Sequence, residues 1–278
     1  MTSVWFITGA STGLGRALAE AVLANGDRVV ATARDVSTLD DLTGAAPEDV
    51  IRLPLDVTDP DQVRECVAQA IDRAGHIDVL VNNAGRGMLG ALEELSEAQI
   101  QRVLGTNVFG VLAVTRAVLP HLRERRRGHI VQMSSVGGVV ANPGHALYAT
   151  SKFALEGMSE ALAGEVRQFG IRVTIVEPGP FRTDFHGRSM EYAEPIADYQ
   201  NTVAGEMRTR LTGQNGAQPN DPQRAAEAII WAVREERSPL RLPLGPEAVA
   251  RIRNKLRGQL ADLEEWEKVS LDTRFPDD

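Results

Sequence analysis

Short runs of β-branched and aliphatic residues alternate with longer stretches in which apolar side chains recur every three or four positions. The runs Val4–Thr8, Arg28–Ala33, Val50–Asp56, Val79–Asn82, Gly128–Ser134 and Arg172–Glu177 lack a strict polar alternation, which predicts strands buried on both faces. Between them, stretches such as Leu14 to Leu23 and Val63 to Ile71 carry helical spacing. Repeated β-α units of this size predict an α/β fold, a doubly wound (Rossmann) parallel sheet of about seven strands with helices on both faces. No linker-like stretch or internal repeat divides the first 180 residues, so residues 1–278 are expected to form one domain.

After Pro178-Gly179-Pro180 the pattern loosens. Residues 181–220 scatter Phe181, Phe185, Tyr192 and Tyr199 among polar positions and end in Gly213-Gln214-Asn215-Gly216, which predicts a substrate lid. Asp221-Pro222 reads as an N-cap with Pro in the first turn of a helix over Ala225–Val233. Leu240–Leu244 is expected to be the last strand. Residues 246–270 form a helical extension whose stripe of Val249, Ile252, Leu256, Leu260 and Leu263 should pack against the body or a second subunit.

Charge narrows the partners. A net charge of −8 argues against a nucleic-acid surface, whose phosphates require clustered cations. The basic run Arg123 to Arg127 follows a helical pattern and is expected to be solvated at that helix's C-terminus. The first strand starts almost at once, without a basic leader or a long apolar stretch, and no membrane partner is expected. The single cysteine, Cys66, permits no intrachain disulfide and suits a reducing, cytoplasmic setting. The five histidines show no metal-ligand spacing, and no metal site is expected.

The chemistry starts at the first turn. Thr8-Gly9-Ala10-Ser11-Thr12-Gly13-Leu14-Gly15 joins the first strand to the first helix. Glycines there admit a tight turn and let a pyrophosphate approach the backbone, and the helix N-terminus adds free N–H groups and positive potential. The second strand ends in Ala33-Arg34-Asp35. No carboxylate occupies the strand-end position, and Arg34 is placed to fork onto a 2′-phosphate, which favours NADP over NAD. Asp35 is read as the N-cap of the next helix, with its side chain turned to backbone amides. NAD stays open as the alternative, because Asp35 lies about 20 residues beyond Gly15, where an NAD site places its acid. Tyr148 and Lys152 lie four residues apart, on one face of a helix. An ammonium beside a phenol favours the phenolate and should lower its pKa toward the working range.

Taken together, Thr8-Gly9-x-x-x-Gly13-x-Gly15, Asp56, Asn82-Asn83-Ala84-Gly85, Asn107, Ser135, Tyr148-x-x-x-Lys152 and Pro178-Gly179 resemble the short-chain dehydrogenase/reductase family in its compact single-domain form, closely over residues 2–185. The segments 29–35 and 239–245 are similar to members grouped with hydroxysteroid and retinol dehydrogenases. The resemblance implies an oxidoreductase acting on CH–OH groups with Asn107, Ser135, Tyr148 and Lys152 as the catalytic set. Tyr148 would be the general acid or base, Lys152 would tune it and hold the nicotinamide ribose, Ser135 would hold the substrate oxygen, and Asn107 would anchor a water. It also implies cofactor contacts from Gly9, Ser11, Thr12, Gly13, Leu14, Gly15, Arg34, Asp56, Val57, Asn83, Ala84, Gly85, Tyr148, Lys152, Pro178, Gly179, Phe181 and Thr183. The substrate would be a small or medium hydrophobic carbonyl or alcohol, walled by Met88, Leu89, Val136, Val140 and the lid. Helices near 97–120 and 148–168 would pair in a homodimer or homotetramer. A regulator that senses the cofactor without catalysis is the reading from another class.

Overall fold

A computed structural model describes residues 2–213 and 216–275. Along the chain run β1 (Val4–Ile7), α1 (Gly13–Ala24), β2 (Arg28–Ala33), β3 (Val50–Pro54), α2 (Pro60–Ala74) and β4 (Val79–Asn82). There follow β5 (Gly87–Leu89), α3 (Glu97–Leu104), α4 (Val111–Arg125), β6 (Gly128–Met133), α5 (Ala146–Val166) and β7 (Ile171–Pro178). The last third holds α6 (Phe185–Arg188), β8 (Met190–Tyr192), α7 (Val203–Thr212), α8 (Pro222–Arg234), β9 (Arg241–Leu244) and α9 (Pro246–Leu271).

Seven strands form one parallel sheet in the order β3-β2-β1-β4-β6-β7-β9. The order reverses between β1 and β4, and in such sheets ligands bind beyond the strand C-termini at that crevice. Alternation along β1 explains the two cores. Trp5 and Ile7 face a layer with Leu18, Val22 and Ile229 of α1 and α8, while Val4 and Phe6 face Val63, Val118 and Leu162 of α2, α4 and α5. Every predicted strand of the large sheet forms, with ends within two residues of those expected. Thr8 leaves the ladder because it already begins the glycine turn, its N–H donating to Val81 O at 3.0 Å.

Between residues 181 and 220 the chain is more regular than its composition suggests; positions 214 and 215 lie outside the described residues. Strand β8 pairs in parallel with β5, which fixes this segment to the strand after the Asn82-Asn83-Ala84-Gly85 stretch. That pairing corrects one expectation. Met88 and Leu89 are buried in small cores with Val103, Met190 and Met207, and do not face the substrate cavity. Val140 likewise packs with Val136, Ala248 and Ile252. The arginine run is solvated as expected at Arg123, Arg126 and Arg127, while Arg125 is half-buried; Arg125 and Arg127 both bind Asp78, at 3.1 and 2.8 Å.

Candidate active site

At the C-terminal edge of the sheet lies a cavity of about 950 Å³ that runs from the glycine turn to Tyr148. Its first wall follows from local backbone rules. Gly9 and Gly13 adopt φ of 65° and 60°, a region that L side chains rarely enter. Thr12 caps α1 with extended backbone, its side chain makes no capping bond, and no acid occupies the first turn. The first N–H groups of α1 therefore keep unspent donors and a positive field, as a pyrophosphate requires. A methyl group on Gly9 would stand 3.0 Å from Ala84 Cα, and one on Gly13 would stand 3.6 Å from Thr183 Cβ. The turn is a cradle closed by β4 on one side and by the segment after β7 on the other. These residues fit a dinucleotide.

Beside it, Asn83 acts as a latch. Its Nδ2 donates to Thr8 O and Gly9 O at 2.9 Å each, and the backbone amides of Asn83 and Ala84 donate to Thr8 Oγ1 at 2.9 and 3.0 Å. The Asn83 amide nitrogen is thus occupied by the turn itself. Gly15 does not line the cavity; a methyl group there would collide with Asn83 Nδ2 and Gly9 O. Its absence of a side chain permits the latch.

Farther along β2 and β3, Arg34 is exposed and lines the cavity beside Ala33. Asp35 caps a short 3₁₀ turn, Val36–Leu39, accepting from Ser37 N and Oγ at 3.1 and 2.7 Å, and does not line the cavity. Asp56 and Val57 lie on the wall. Asp56 accepts from Thr58 N and Oγ1 at 2.9 and 2.7 Å. Burial pushes its carboxyl up, but the Thr58 bonds and the charges of Arg34 and Arg86 outweigh that and hold it below the usual range. Pro178, Gly179, Phe181 and Thr183 close the opposite side, with Phe181 also packed on the core and bridged to Asn220.

The other end of the cavity holds Ser135, Tyr148 and Lys152. Ser135 follows β6 and caps a short 3₁₀ turn, its Oγ accepting from Gly137 N at 3.0 Å. A methyl group on Gly137 would sit 3.2 Å from Tyr148 Cε1 and 3.3 Å from Ser135 Oγ, so this glycine lets the two side chains meet. Lys152, one turn after Tyr148 on α5, is buried and donates from Nζ to Met133 O at 2.7 Å. Its Nζ lies 5.8 Å from the Tyr148 ring centroid. Burial pushes Lys152 down to about 8, with the Glu156 charge opposing. Burial also raises the Tyr148 phenol, and the Ser135 hydroxyl pulls only partly against it. The expected lowering of the phenol by Lys152 is thus absent here, because desolvation of both groups dominates.

Asn107 stands behind this set. It sits in a π-helical turn, Gly105–Gly110, between α3 and α4, and such turns recur at functional sites. Its Oδ1 accepts from Arg86 N at 2.9 Å, and its Nδ2 donates to Arg86 O at 2.8 Å and Ser151 Oγ at 3.0 Å. It does not line the cavity. A methyl group on Gly85 would lie 3.4 Å from Asn107 Oδ1 and 3.7 Å from Lys152 Nζ, so Gly85 separates the two.

Several lining residues carry no motif in the sequence. His145 stacks edge-on to Tyr148 at 6.0 Å, and Phe185 lies 6.1 Å from the same ring. Burial lowers His145 to about 4, so it is neutral at physiological pH. Met190, Met207, Leu211, Arg210 and Arg251 complete the mouth. Of these, the scattered aromatics of the 181–220 segment and His145, three residues before Tyr148, gave a sequence signal. Cys66 lies elsewhere, buried in α2, its thiol pushed up to about 12.

Comparison with known proteins agrees with this geometry. A family model described as short chain dehydrogenase matches residues 3–193. Oxidoreductase BOA17 of Botryotinia fuckeliana is 41% identical over 98% of this chain and 99% of its own length. Retinol dehydrogenase 8 of Bos taurus is 38% identical over 84% of this chain and 79% of its own. A crystal structure of a short-chain dehydrogenase from Streptomyces avermitilis superposes with a TM-score of 0.91 at 45% identity, covering 99% of both chains. Two more distant structures carry different dinucleotides. A Burkholderia phymatum enzyme in complex with NAD has TM-score 0.81 and 27% identity, covering 95% of both chains. A Burkholderia cenocepacia enzyme in complex with NADP has TM-score 0.74 and 25% identity, covering 95% of this chain and 97% of its own. The chain belongs to the short-chain dehydrogenase family and is an oxidoreductase acting on CH–OH groups.

Proposed function

We propose that this protein is an NADP(H)-dependent oxidoreductase that interconverts a carbonyl and a secondary alcohol on a small or medium hydrophobic substrate, with Tyr148 as general acid/base. The observation that carries the reading is the meeting of Ser135, Tyr148 and Lys152 at one end of a cavity whose other end is a phosphate-ready glycine turn. A bound nicotinamide supplies or accepts the hydride; the protein positions the reactants and manages one proton. Ser135 Oγ and the Tyr148 phenol hold the substrate oxygen. In reduction Tyr148 donates its proton to that oxygen, and the raised phenol keeps the proton available at neutral pH. Lys152 keeps two donors beyond its bond to Met133 O, enough for a ribose hydroxyl. Asn107 fixes the Arg86 backbone and Ser151, and a proton-relay water would use its remaining lone pair or main-chain carbonyl.

NADP is favoured because Arg34 faces the cavity while the neighbouring carboxylate of Asp35 is engaged by Ser37. Phe185, Met190, Met207 and Leu211 give the substrate end an apolar wall. The 181–220 segment acts as the lid of a single catalytic domain. A cytoplasmic homodimer or homotetramer through the 97–120 and 148–168 helices is supported by exposed Phe109 and Phe153 and by the absence of a second cysteine. The deciding experiment follows NADPH oxidation over a panel of apolar ketones in wild type and Tyr148→Phe. The variant should bind NADPH normally and lose about 10²–10⁴-fold in kcat. Equal rates in the two proteins would remove Tyr148 from the chemistry.

A further inference from the structure

Helix α9 is anchored only at its start. Ala248 and Ile252 are its buried residues, packed with Val136, whereas residues 253–275 are all exposed. From 253 to the end of the helix at 271 that is about 28 Å of helix, at 1.5 Å per residue, exposed along its whole length. This projecting part is not polar. Leu256, Leu260, Leu263 and Trp266 continue the stripe begun by Val249 and Ile252, and each of the four is more than half exposed. A helix of this kind draws most of its stability from covering its apolar face, and a contiguous exposed stripe marks an interface.

Its charges identify the occupant. Residues 251–258 carry Arg251, Arg253, Lys255 and Arg257 and no acid; residues 261–267 carry Asp262, Glu264, Glu265 and Glu267 and no base. This order does not serve the isolated helix. Arg251/Lys255 and Arg253/Arg257 are like-charge pairs at i,i+4. The order does complement itself when a second copy is laid antiparallel. With the crossing near residues 259–260, Arg253 meets Glu267, Lys255 meets Asp262, and Arg257 meets Glu264 of the other copy, flanking a seam of Leu256, Leu260, Leu263 and Trp266. A parallel pair would set cation against cation. The acidic half equally disfavours an anionic membrane surface.

We propose that the projecting half of α9 is a homotypic docking element, which pairs two copies of this chain through an antiparallel, two-fold helix contact centred near Leu260. Such a contact is isologous, so it closes on itself rather than propagating.

Two measurements on the full-length protein test this. In sedimentation equilibrium, Leu260→Glu combined with Leu263→Glu should halve the particle mass, whether the starting state is a dimer or a tetramer, while ketone-dependent turnover per chain is retained. Disulfide formation gives the geometry. Leu260→Cys should oxidise readily to a covalent dimer, because the two residues face each other at the crossing. Leu271→Cys should not, since the antiparallel arrangement holds the two copies about 33 Å apart at that position. Cys66 is buried and stays silent in the assay. Reversing Arg253 and Lys255 to Glu should weaken association about tenfold, and adding Asp262→Lys with Glu267→Arg should restore it. An unchanged mass in the double variant would overturn the proposal. So would equal cross-linking at 271 and 260, or capture of α9 by anionic vesicles instead of by its own copy.

Discussion

Replacing Glu177 with Gln should stabilise the protein at alkaline pH and do little in acid. Glu177 ends β7 with 1% exposure, and neither carboxylate oxygen has a hydrogen-bond partner. Its nearest cation is Arg241, whose Nε lies 3.6 Å from Glu177 Oε1 but 3.2 Å from Glu156 Oε2, and which also binds Glu160 at 2.6 Å. One guanidinium thus serves three carboxylates. Burial, then the charge of Glu156, pushes Glu177 up to about 7 from an ordinary value of 4.5. The native carboxyl therefore holds its proton to higher pH than the unfolded one does. Between about pH 4.5 and 7 the native state binds more protons, so stability falls as pH rises through that window. A difference of about 2.5 units corresponds to about 3 kcal/mol at pH 8.5, and to about 1 kcal/mol at pH 5. Glu177→Gln removes that penalty while keeping the side chain's size. Urea unfolding of wild type and variant at pH 5 and pH 8.5 gives the comparison directly. A variant less stable than wild type at pH 8.5, or a difference independent of pH, would refute the reasoning.

Three further outcomes can be checked. Gly15→Ala forces a methyl group into Asn83 Nδ2 and Gly9 O, so it should cost about 1–3 kcal/mol in chemical denaturation and weaken dinucleotide binding measured by fluorescence titration. Burial holds His129 down to about 3, with its Nε2 2.9 Å from Thr174 Oγ1. The unfolded chain therefore takes up a proton that the native chain refuses, and wild type should lose about 2 kcal/mol between pH 7.5 and pH 5 through this group, a component missing from His129→Gln unfolding curves. Arg34→Ala should raise the NADPH Michaelis constant about tenfold or more and leave that for NADH nearly unchanged; equal effects on both would reverse the cofactor assignment.

The part of this molecule legible in the sequence is the part governed by short-range rules. Parallel strands buried on both faces must be continuously apolar, so all seven strands of the large sheet stood out. The glycine turn was legible because Gly9 and Gly13 occupy backbone regions that other residues avoid, and Tyr148 and Lys152 because a helix sets their spacing. Asp35 was assigned as a cap on the same local logic, and its bond to Ser37 bears that out. What escaped depends on long-range placement. Met88 and Leu89 read as pocket walls, yet pairing of β5 with β8, about 100 residues later, turns them into a core. The π turn at Asn107 leaves no compositional mark, and the role of Gly15 emerges only when Asn83 is seen crossing to the turn. The pKa order escaped for the same reason.

Spacing alone suggests that Lys152 lowers Tyr148, but spacing contains no desolvation. In the folded chain Lys152 is buried and Tyr148 half-buried, and desolvation drives their pKa values apart: the phenol up, the ammonium down to about 8. A phenol held protonated beside a lysine that still carries most of its charge at neutral pH is set for donation. With Tyr148 as the proposed acid, that state favours the reductive direction. Oxidation of an alcohol first requires removal of the Tyr148 proton, which the raised phenol resists until the pH is high. Initial rates of ketone reduction should therefore stay flat through neutrality and fall at alkaline pH, while alcohol oxidation should climb over the same range. Parallel pH profiles in the two directions would show that the proton on Tyr148 does not set the balance.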